Sequence, residues 1–462
     1  MTTTLQPPAG TATIGEPPVA VGESGRWPIW RVVAGSLLTG LVGALVLMLV
    51  VFAGAREHVI TGSALLAFAY GWSMLAGLST RFTSQPQRWA FVPAIVMAVS
   101  GVGLFVLSPG NGALTAAGWV WPPVMFALAV WMVMQLRHAL AGRVQWLLYP
   151  VVALLAVGSV GGMYETVALE RDDGRYAMPG TLYDVGGHRL HLYCAGSGSP
   201  TVVLENGFSE TSPFWSRIMP EVARSARVCA YDRAGQGWSD DTARPKDGLA
   251  VAADLHALLG RARETGPYVL VGHSVGGSYA MTYANQYPAE VAGMVLLDSS
   301  SPDQFTVLPD YKSQYNVSRR MLAVLPSLAR LGVAQLRPSS SFSALPEPAA
   351  SQVRAFGTSP RQFRSGRDEW SALHDVFDQA RALSTLGRKP LVVITATENA
   401  DKTEGWSEAQ NRLATLSANS QHRIVDTTHV GLLDDEGDYG SSVAAIGDVV
   451  QSIRTGAPVA HR

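Results

Sequence analysis

Apolar and polar positions divide this chain into two textures. Residues 32–55, 59–78, 89–107, 114–136 and 144–163 each run without any Asp, Glu, Lys or Arg. Each is long enough to cross a hydrocarbon core as a helix, which takes roughly 20 residues, so the pattern predicts five transmembrane helices. From about residue 181 short apolar runs alternate with stretches at helical spacing, the pattern of a mostly parallel sheet covered on both faces. Residues 181–185 and 188–193, joined by Gly186-Gly187, predict an opening hairpin. Residues 201–204, 227–231, 268–271, 294–297, 391–395 and 422–425 predict further strands. Between them lie helical patterns such as 250–263, apolar at Val251, Leu255, Leu258 and Leu259.

Composition sharpens the division. The chain is 47% hydrophobic and only 15% charged, against roughly 25% charged in soluble domains, and the shortfall is concentrated in the five spans. The first 25 residues, rich in Thr, Pro, Gly and Ala, predict a disordered tail. The first apolar segment is too long and too far from the start for a cleaved signal peptide and is expected to be retained. A net charge of −1 with no basic patch argues against nucleic acid as a partner. Arg26, Arg31, Arg81, Arg88, Arg137 and Arg143 flank the spans on one side, whereas the alternate loops hold only Arg56. This asymmetry puts the N-terminus in the cytoplasm and, after five crossings, everything beyond residue 164 outside. The spans lack the carboxylates or amines of a transporter or proton relay and read as an anchor. Ser36, Gly40 and Ala44, four apart, would allow close helix packing, and Trp119, Trp121, Pro122 and Pro123 would kink the fourth span.

Chemistry enters at Tyr268-Val-Leu-Val-Gly-His-Ser-Val-Gly-Gly277. A strand-length run meets a G-x-S-x-G turn, and Ala280, Met281, Tyr283 and Ala284 continue at helical spacing to Pro288. A serine pushed out of such a turn needs neighbours without Cβ atoms, which Gly272 and Gly276 provide. It also opens a helix, where free N–H groups favour developing negative charge. A chance match in a chain with 46 Gly is the bland alternative, and the strand before and helix after argue against it.

Residues 181 to about 455 resemble the α/β-hydrolase fold, in its serine esterase, lipase and haloperoxidase-like branch. The matching pieces, in order, are the strand before Asn206-Gly207-Phe208, the run Tyr231-Asp-Arg-Ala-Gly-Gln-Gly-Trp-Ser239, the turn at Ser274, the strand ending at Asp298, and Thr428-His429. The resemblance implies a mostly parallel eight-stranded sheet with helices on both faces and a helical cap at about 301–386, here preceded by an all-α membrane bundle. The expected organisation is a tail at 1–25, a membrane region at 26–165, a linker at 166–180 and a hydrolase domain at 181–462. Within the cap, 336–348 is rich in Pro and Ser and reads as a mobile loop.

Carried over position by position, the resemblance makes Ser274 the nucleophile and His429 the base that takes its proton. For the acid that fixes the histidine, Asp298 and Asp401 stand as equal candidates, with Glu398 behind them. Asp298 ends one strand and carries a structural reading as well. Asp401 follows the next strand at a spacing unusual for the family. The oxyanion hole would use the backbone N–H groups of Phe208 and Val275, although Asn206 stands where relatives usually have His. Asp232, Arg233 and Trp238 read as structural, with Trp238 a candidate for the entrance. His188 and His191, three apart on a strand, face opposite sides and cannot share a metal; no metal or cofactor is implied. Cys194 and Cys229 fall on strands that are neighbours in the family's sheet, where either a disulfide or two buried thiols is admissible.

The expected function is that of a membrane-anchored serine hydrolase acting on a small-molecule or lipid-like ester through an acyl-enzyme. Its partner is the lipid bilayer and its hydrolase domain is extracytoplasmic. An epoxide hydrolase or dehalogenase of this fold would need Asp at position 274. The alternative from another class is a non-catalytic membrane sensor or binding protein that retains the fold. Cap sequence alone does not identify the substrate.

Overall fold

The computed structural model describes residues 26–140, 142–172, 174–337 and 344–460. The expected tail at 1–25 lies outside these residues, as do 338–343 of the expected cap loop. The chain opens with α1 (Ile29–Val46, continued by a π-helical turn to Val51), α2 (Glu57–Phe82), α3 (Phe91–Leu107), α4 (Asn111–Ala117), α5 (Trp121–Ala139) and α6 (Gln145–Asp172). Four helical stretches, Ile29–Val51, Glu57–Phe82, Arg88–Leu107 and Gly142–Asp172, are long and apolar enough to cross a membrane. α4 and α5, bent by 43° from each other, make a fifth if they form one span. The fourth expected span is therefore broken. Pro122 and Pro123 fall in the first turn of α5, where a missing N–H is tolerated but from which no helix can be continued backwards.

Two hydrogen bonds tie one end of this bundle together: Trp27 N to Phe82 O at 2.8 Å and Gln87 Nε2 to Ala139 O at 3.0 Å. α5 thus ends beside the start of α1, while α4 begins at the opposite end. Ser36, Gly40 and Ala44 are buried on α1. A Cβ at Gly71 of α2 would sit 2.8 Å from the Ser36 carbonyl oxygen, so this pair packs backbone to backbone as the small-residue spacing suggests. α6 runs on to Asp172, so the first half of the expected linker at 166–180 is helical.

All eight expected strands form one sheet: β1 (Thr181–Asp184), β2 (Arg189–Ala195), β3 (Thr201–Glu205), β4 (Val228–Tyr231), β5 (Tyr268–His273), β6 (Val291–Leu297), β7 (Leu391–Ala396) and β8 (Ser420–Val425). Their order is β1-β2-β4-β3-β5-β6-β7-β8. β1 and β2 pair antiparallel, β2 runs antiparallel to β4, and the rest are parallel. Period-two alternation splits the core. Val203, Leu270, Leu296 and Val393 face one layer, and Val202, Val271, Val295 and Ile394 the other. The first layer is closed by α8 (Gly248–Ala262) and α9 (Val275–Gln286), the second by α7 (Ile218–Ala223) and α18 (Tyr439–Thr455). Cys194 and Cys229 are directly opposite across β2 and β4, with Cα atoms 4.0 Å apart, and form a disulfide.

Between β6 and β7 the cap folds as α10 (Gln304–Val307), α11 (Tyr311–Arg330), α12 (Ala349–Thr358), α13 (Pro360–Ser371) and α14 (Leu373–Ala380). After β7 come α15 (Thr397–Lys402) and α16 (Trp406–Ala414), and α17 (Gly431–Asp434) follows β8. The cap also docks on the bundle. Arg330 Nε meets the buried Glu57 carboxylate at 2.5 Å and Arg330 Nη2 bonds Asn111 Oδ1 at 2.9 Å. Thr61 and Ser327 hydroxyls meet at 2.6 Å, and Arg319 donates to the Ala53 carbonyl at 2.8 Å.

Candidate active site

Three glycines let β5 turn into α9. A Cβ at Gly272 would lie 2.4 Å from Gly277 N, one at Gly276 2.4 Å from Glu205 O, and one at Gly277 1.8 Å from Ser299 Oγ. At Gly272 and Gly276 a Cβ meets backbone that would have to move, and at Gly277 it meets the Ser299 side chain, so the turn is built for glycine at these places. Ser274 between them sits at φ 55°, ψ −127°, a strained backbone held by its surroundings. Its N–H donates to Leu297 O at 3.1 Å, and its carbonyl accepts from Gly277 N at 3.1 Å and Ser300 N at 2.9 Å.

His429 approaches from the loop after β8. Its ring centroid lies 4.5 Å from that of His273, the residue beside Ser274. Asp298, at the end of β6, holds this imidazole: Asp298 Oδ2 is 2.6 Å from His429 Nδ1. The carboxylate is fully buried and takes three further donors, Asn399 Nδ2 at 2.6 Å, Trp406 Nε1 at 2.8 Å and Ala396 N at 3.2 Å. Asp298 is thereby kept as an acceptor, which fixes the His429 proton on Nδ1 and leaves Nε2 as the basic nitrogen. Asp298 is also at positive φ, 42°. Asp401 is exposed on α15 and takes no part in this network. Glu398 does, through the backbone: it accepts from His429 N at 2.8 Å, and this bond, with Lys402, holds its carboxyl below the usual range.

The loop after β3 carries Phe208 against the turn, since the Asn206 carbonyl would lie 2.6 Å from a Cβ at Gly276. Asn206 works as a strut, donating to Tyr231 O and accepting from Trp215 Nε1, both at 2.7 Å. Buried Arg233 grips the same loop, donating to Asn206 O at 2.6 Å and Gly207 O at 2.7 Å. Two buried carboxylates share its guanidinium: Glu205 at 2.9 Å and the cap's Glu369 at 2.5 Å. Glu369 also accepts from Ser209 N and Gln236 Nε2, each at 3.1 Å. One cation does not balance two buried anions, and burial pushes Glu205 up to about 7 despite Arg233.

A buried histidine braces the half-buried base. His273 Nδ1 lies 2.7 Å from Glu210 Oε1, and its Nε2 is 3.0 Å from the carbonyl of His429. Both partners are acceptors, so the ring carries both protons. Burial opposes that charge, but Glu210 outweighs it and raises the His273 pKa, while His273 and the Gly207 N–H depress that of Glu210 against the same burial.

The remaining motif residues are structural. Asp232 accepts from Ser212 N at 2.6 Å and Trp238 N at 3.1 Å and pairs with His191 at 2.9 Å. His188 goes separately to Asp254. Trp238 packs edge-on against Phe356 of the cap. Sequence reasoning missed Glu205, Glu210 and Glu369. A signal existed for the first two: carboxylates at both ends of Glu205-Asn-Gly-Phe-Ser-Glu210, at a strand end with Arg233 and His273 available, demand buried partners.

Comparison with known proteins agrees with this architecture. A family model described as alpha/beta hydrolase fold matches residues 200–436. An uncharacterized protein of Schizosaccharomyces pombe is 30% identical over 305 residues, 58% of this chain and 55% of that protein. The 2-hydroxymuconate semialdehyde hydrolase of Pseudomonas sp. (strain CF600) is 28% identical over 218 residues, 43% of this chain and 77% of that protein. The chain spans about half the length of the first curated relatives it matches, 55%, 55% and 56%. Among solved structures, the enol-lactonase from Burkholderia xenovorans LB400 is similar at 18% identity and a TM-score of 0.45, covering 59% of this chain and 100% of its own. The expectation drawn from the motifs therefore holds at the level of family: the chain belongs to the alpha/beta hydrolases.

Proposed function

We propose that the protein is a membrane-anchored serine hydrolase that cleaves a carboxylic ester through Ser274, His429 and Asp298. The observation that carries this reading is the 2.6 Å contact of Asp298 Oδ2 with His429 Nδ1 beside a serine held at φ 55°. His429 Nε2 takes the Ser274 proton as Oγ attacks the ester carbonyl. The oxyanion is met by the N–H groups of Val275, first in α9, and Phe208. Collapse breaks the bond to the alcohol, which leaves with the proton from His429, and a water activated by the same nitrogen then releases the acid. Asp401 has no role in this scheme.

The same reading places the hydrolase domain outside the cytoplasm. The arginine asymmetry, a fifth pass through α5 and the Cys194–Cys229 disulfide all favour it. The test is labelling of the full-length protein with a fluorophosphonate probe. Covalent labelling of the wild type that disappears in Ser274→Ala is the expected result. A folded wild type that does not label would leave the non-catalytic alternative.

A further inference from the structure

Cap helix α11 has two apolar stripes where a cap over a soluble enzyme needs one. Leu322 and Leu325 line a cavity of about 220 Å³, together with Val353 and Phe356 of α12 and Phe363 of α13, and polar groups of Ser209, Thr211, Gln362 and Arg337 complete its wall. Phe208 closes this cavity on the side of the nucleophile: its ring lines the wall and also packs in the cluster that contains Val275. The volume is below the roughly 300–1,000 Å³ of typical small-molecule pockets.

Beside these two leucines runs a second apolar stripe, exposed at Val317, Met321 and Leu328 and half-buried at Val324. Val317, Met321, Val324 and Leu328 recur at four, three and four residues, one stripe of a helix. Met321 is 59% exposed, and Leu331 and Leu336 just beyond the helix are 46% and 82% exposed. α11 carries no acid, and of its four cations Arg319 and Arg330 are held by the bundle, which leaves exposed Lys312 and Arg320 to meet anionic lipid. Its position fits. A Cβ at Gly161 would lie 2.1 Å from the Leu331 carbonyl oxygen, and Gly161 belongs to the uncharged part of α6, one of the helices long and apolar enough to cross a membrane. This stripe therefore continues the apolar outer surface of α6 at Leu154, Val157 and Val160.

We infer that α11 lies in the interfacial layer of the bilayer, its stripe immersed, and that the cavity behind it receives an acyl chain of a bilayer lipid. That this chain belongs to the ester cleaved at Ser274 rests on the serine-hydrolase reading; that the chain binds does not. The substrate class is then a long-acyl ester taken from the membrane.

The test uses full-length protein in vesicles of phosphatidylcholine and phosphatidylglycerol containing a hydrolysis-resistant dialkyl phospholipid with a mid-chain diazirine. Illumination and peptide mapping are expected to place adducts on Leu322, Leu325, Val353 or Phe356, as well as on the stripe. Filling the cavity with Leu325→Trp, or independently Val353→Trp, should reduce the cavity adducts at least tenfold. It should also lower turnover of a long-acyl ester relative to an acetyl ester at least tenfold. Adducts confined to α1–α6, or cavity adducts unchanged by both substitutions, would overturn the chain-binding site. Equal loss on long and short esters would overturn the substrate class. Fluorophosphonate labelling of the same samples separates these failures from that of the hydrolase reading, because it depends on Ser274 and not on the chain.

Discussion

A carboxylate surrounded by four donors cannot become an amide without turning one donor against another. In Asp298→Asn, either the new amide N–H takes the Oδ2 place and faces Asn399 and His429 Nδ1, which must then accept and move its proton to Nε2, or it takes the Oδ1 place and faces Trp406 Nε1 and Ala396 N. The first outcome gives the tautomer that cannot take the serine proton. Turnover of an ester should fall by about 10⁴-fold, the cost of the wrong tautomer in such triads, while Asp401→Asn stays near the wild type. Steady-state rates for both variants decide it, and the reverse pattern would reassign the acid. Glu205 gives a prediction in pH. Its folded pKa is about 7 against an ordinary 4.5, so the folded state holds this proton more tightly than the unfolded chain. Its contribution to stability is complete below pH 4.5 and is lost as pH rises toward 7, an effect of about 3 kcal/mol at 1.36 kcal/mol per unit. Denaturation midpoints of the detergent-solubilised protein should drop over this range in the wild type, and Glu205→Gln should remove that component. Identical slopes would mean that Glu205 is ionised throughout.

At the scale of elements, what the sequence made legible was whatever local pattern determines. The strands show as period-two runs, the turn at Ser274 as glycines where a Cβ has no room, and the packing of α1 on α2 as three small residues at four-residue spacing. The choice between Asp298 and Asp401 was not local. β6 and β7 are adjacent, both carboxylates follow their strand ends, and either could have faced His429. What separates them is α15, which the unusual spacing after β7 builds: it turns Glu398 toward His429 N and Asn399 toward Asp298 and leaves Asp401 outside. Glu369 was hidden for another reason. It lies 160 residues from Ser209 and 136 from Arg233, on a cap helix whose placement no periodicity reveals. Through it the cap is fastened to the loop carrying Phe208, just as Arg330 and Arg319 fasten α11 to the N-terminal helix bundle. The cap thus bridges the candidate oxyanion loop and the N-terminal bundle of apolar helices.

For the whole molecule, the parity of crossings decides which compartment the site serves. Four crossings would return the hydrolase domain to the side of the N-terminus, and five place it opposite. α5 is the element that differs between them. It has 19 residues, about 28 Å at 1.5 Å per residue, close to the ~30 Å hydrocarbon thickness. Its C-terminal end lies with the starts of α1 and α3, through the Gln87 bond to Ala139, and α4 lies at the other end, through Asn111. The helix therefore traverses the bundle even though the bend at residues 118–120 prevents one continuous span. A disulfide also persists in oxidising compartments and is rare in the cytosol. Two measurements on cells should agree. A reporter enzyme that requires export, fused after Arg462, should be active, whereas a reporter that matures only in the cytoplasm should be silent. Cys194 and Cys229 should resist a maleimide in the denatured protein until a reductant is added. A cytoplasmic reporter signal together with two free thiols would mean that α4 and α5 do not cross, and the ester would then have to be drawn from the cytoplasmic leaflet.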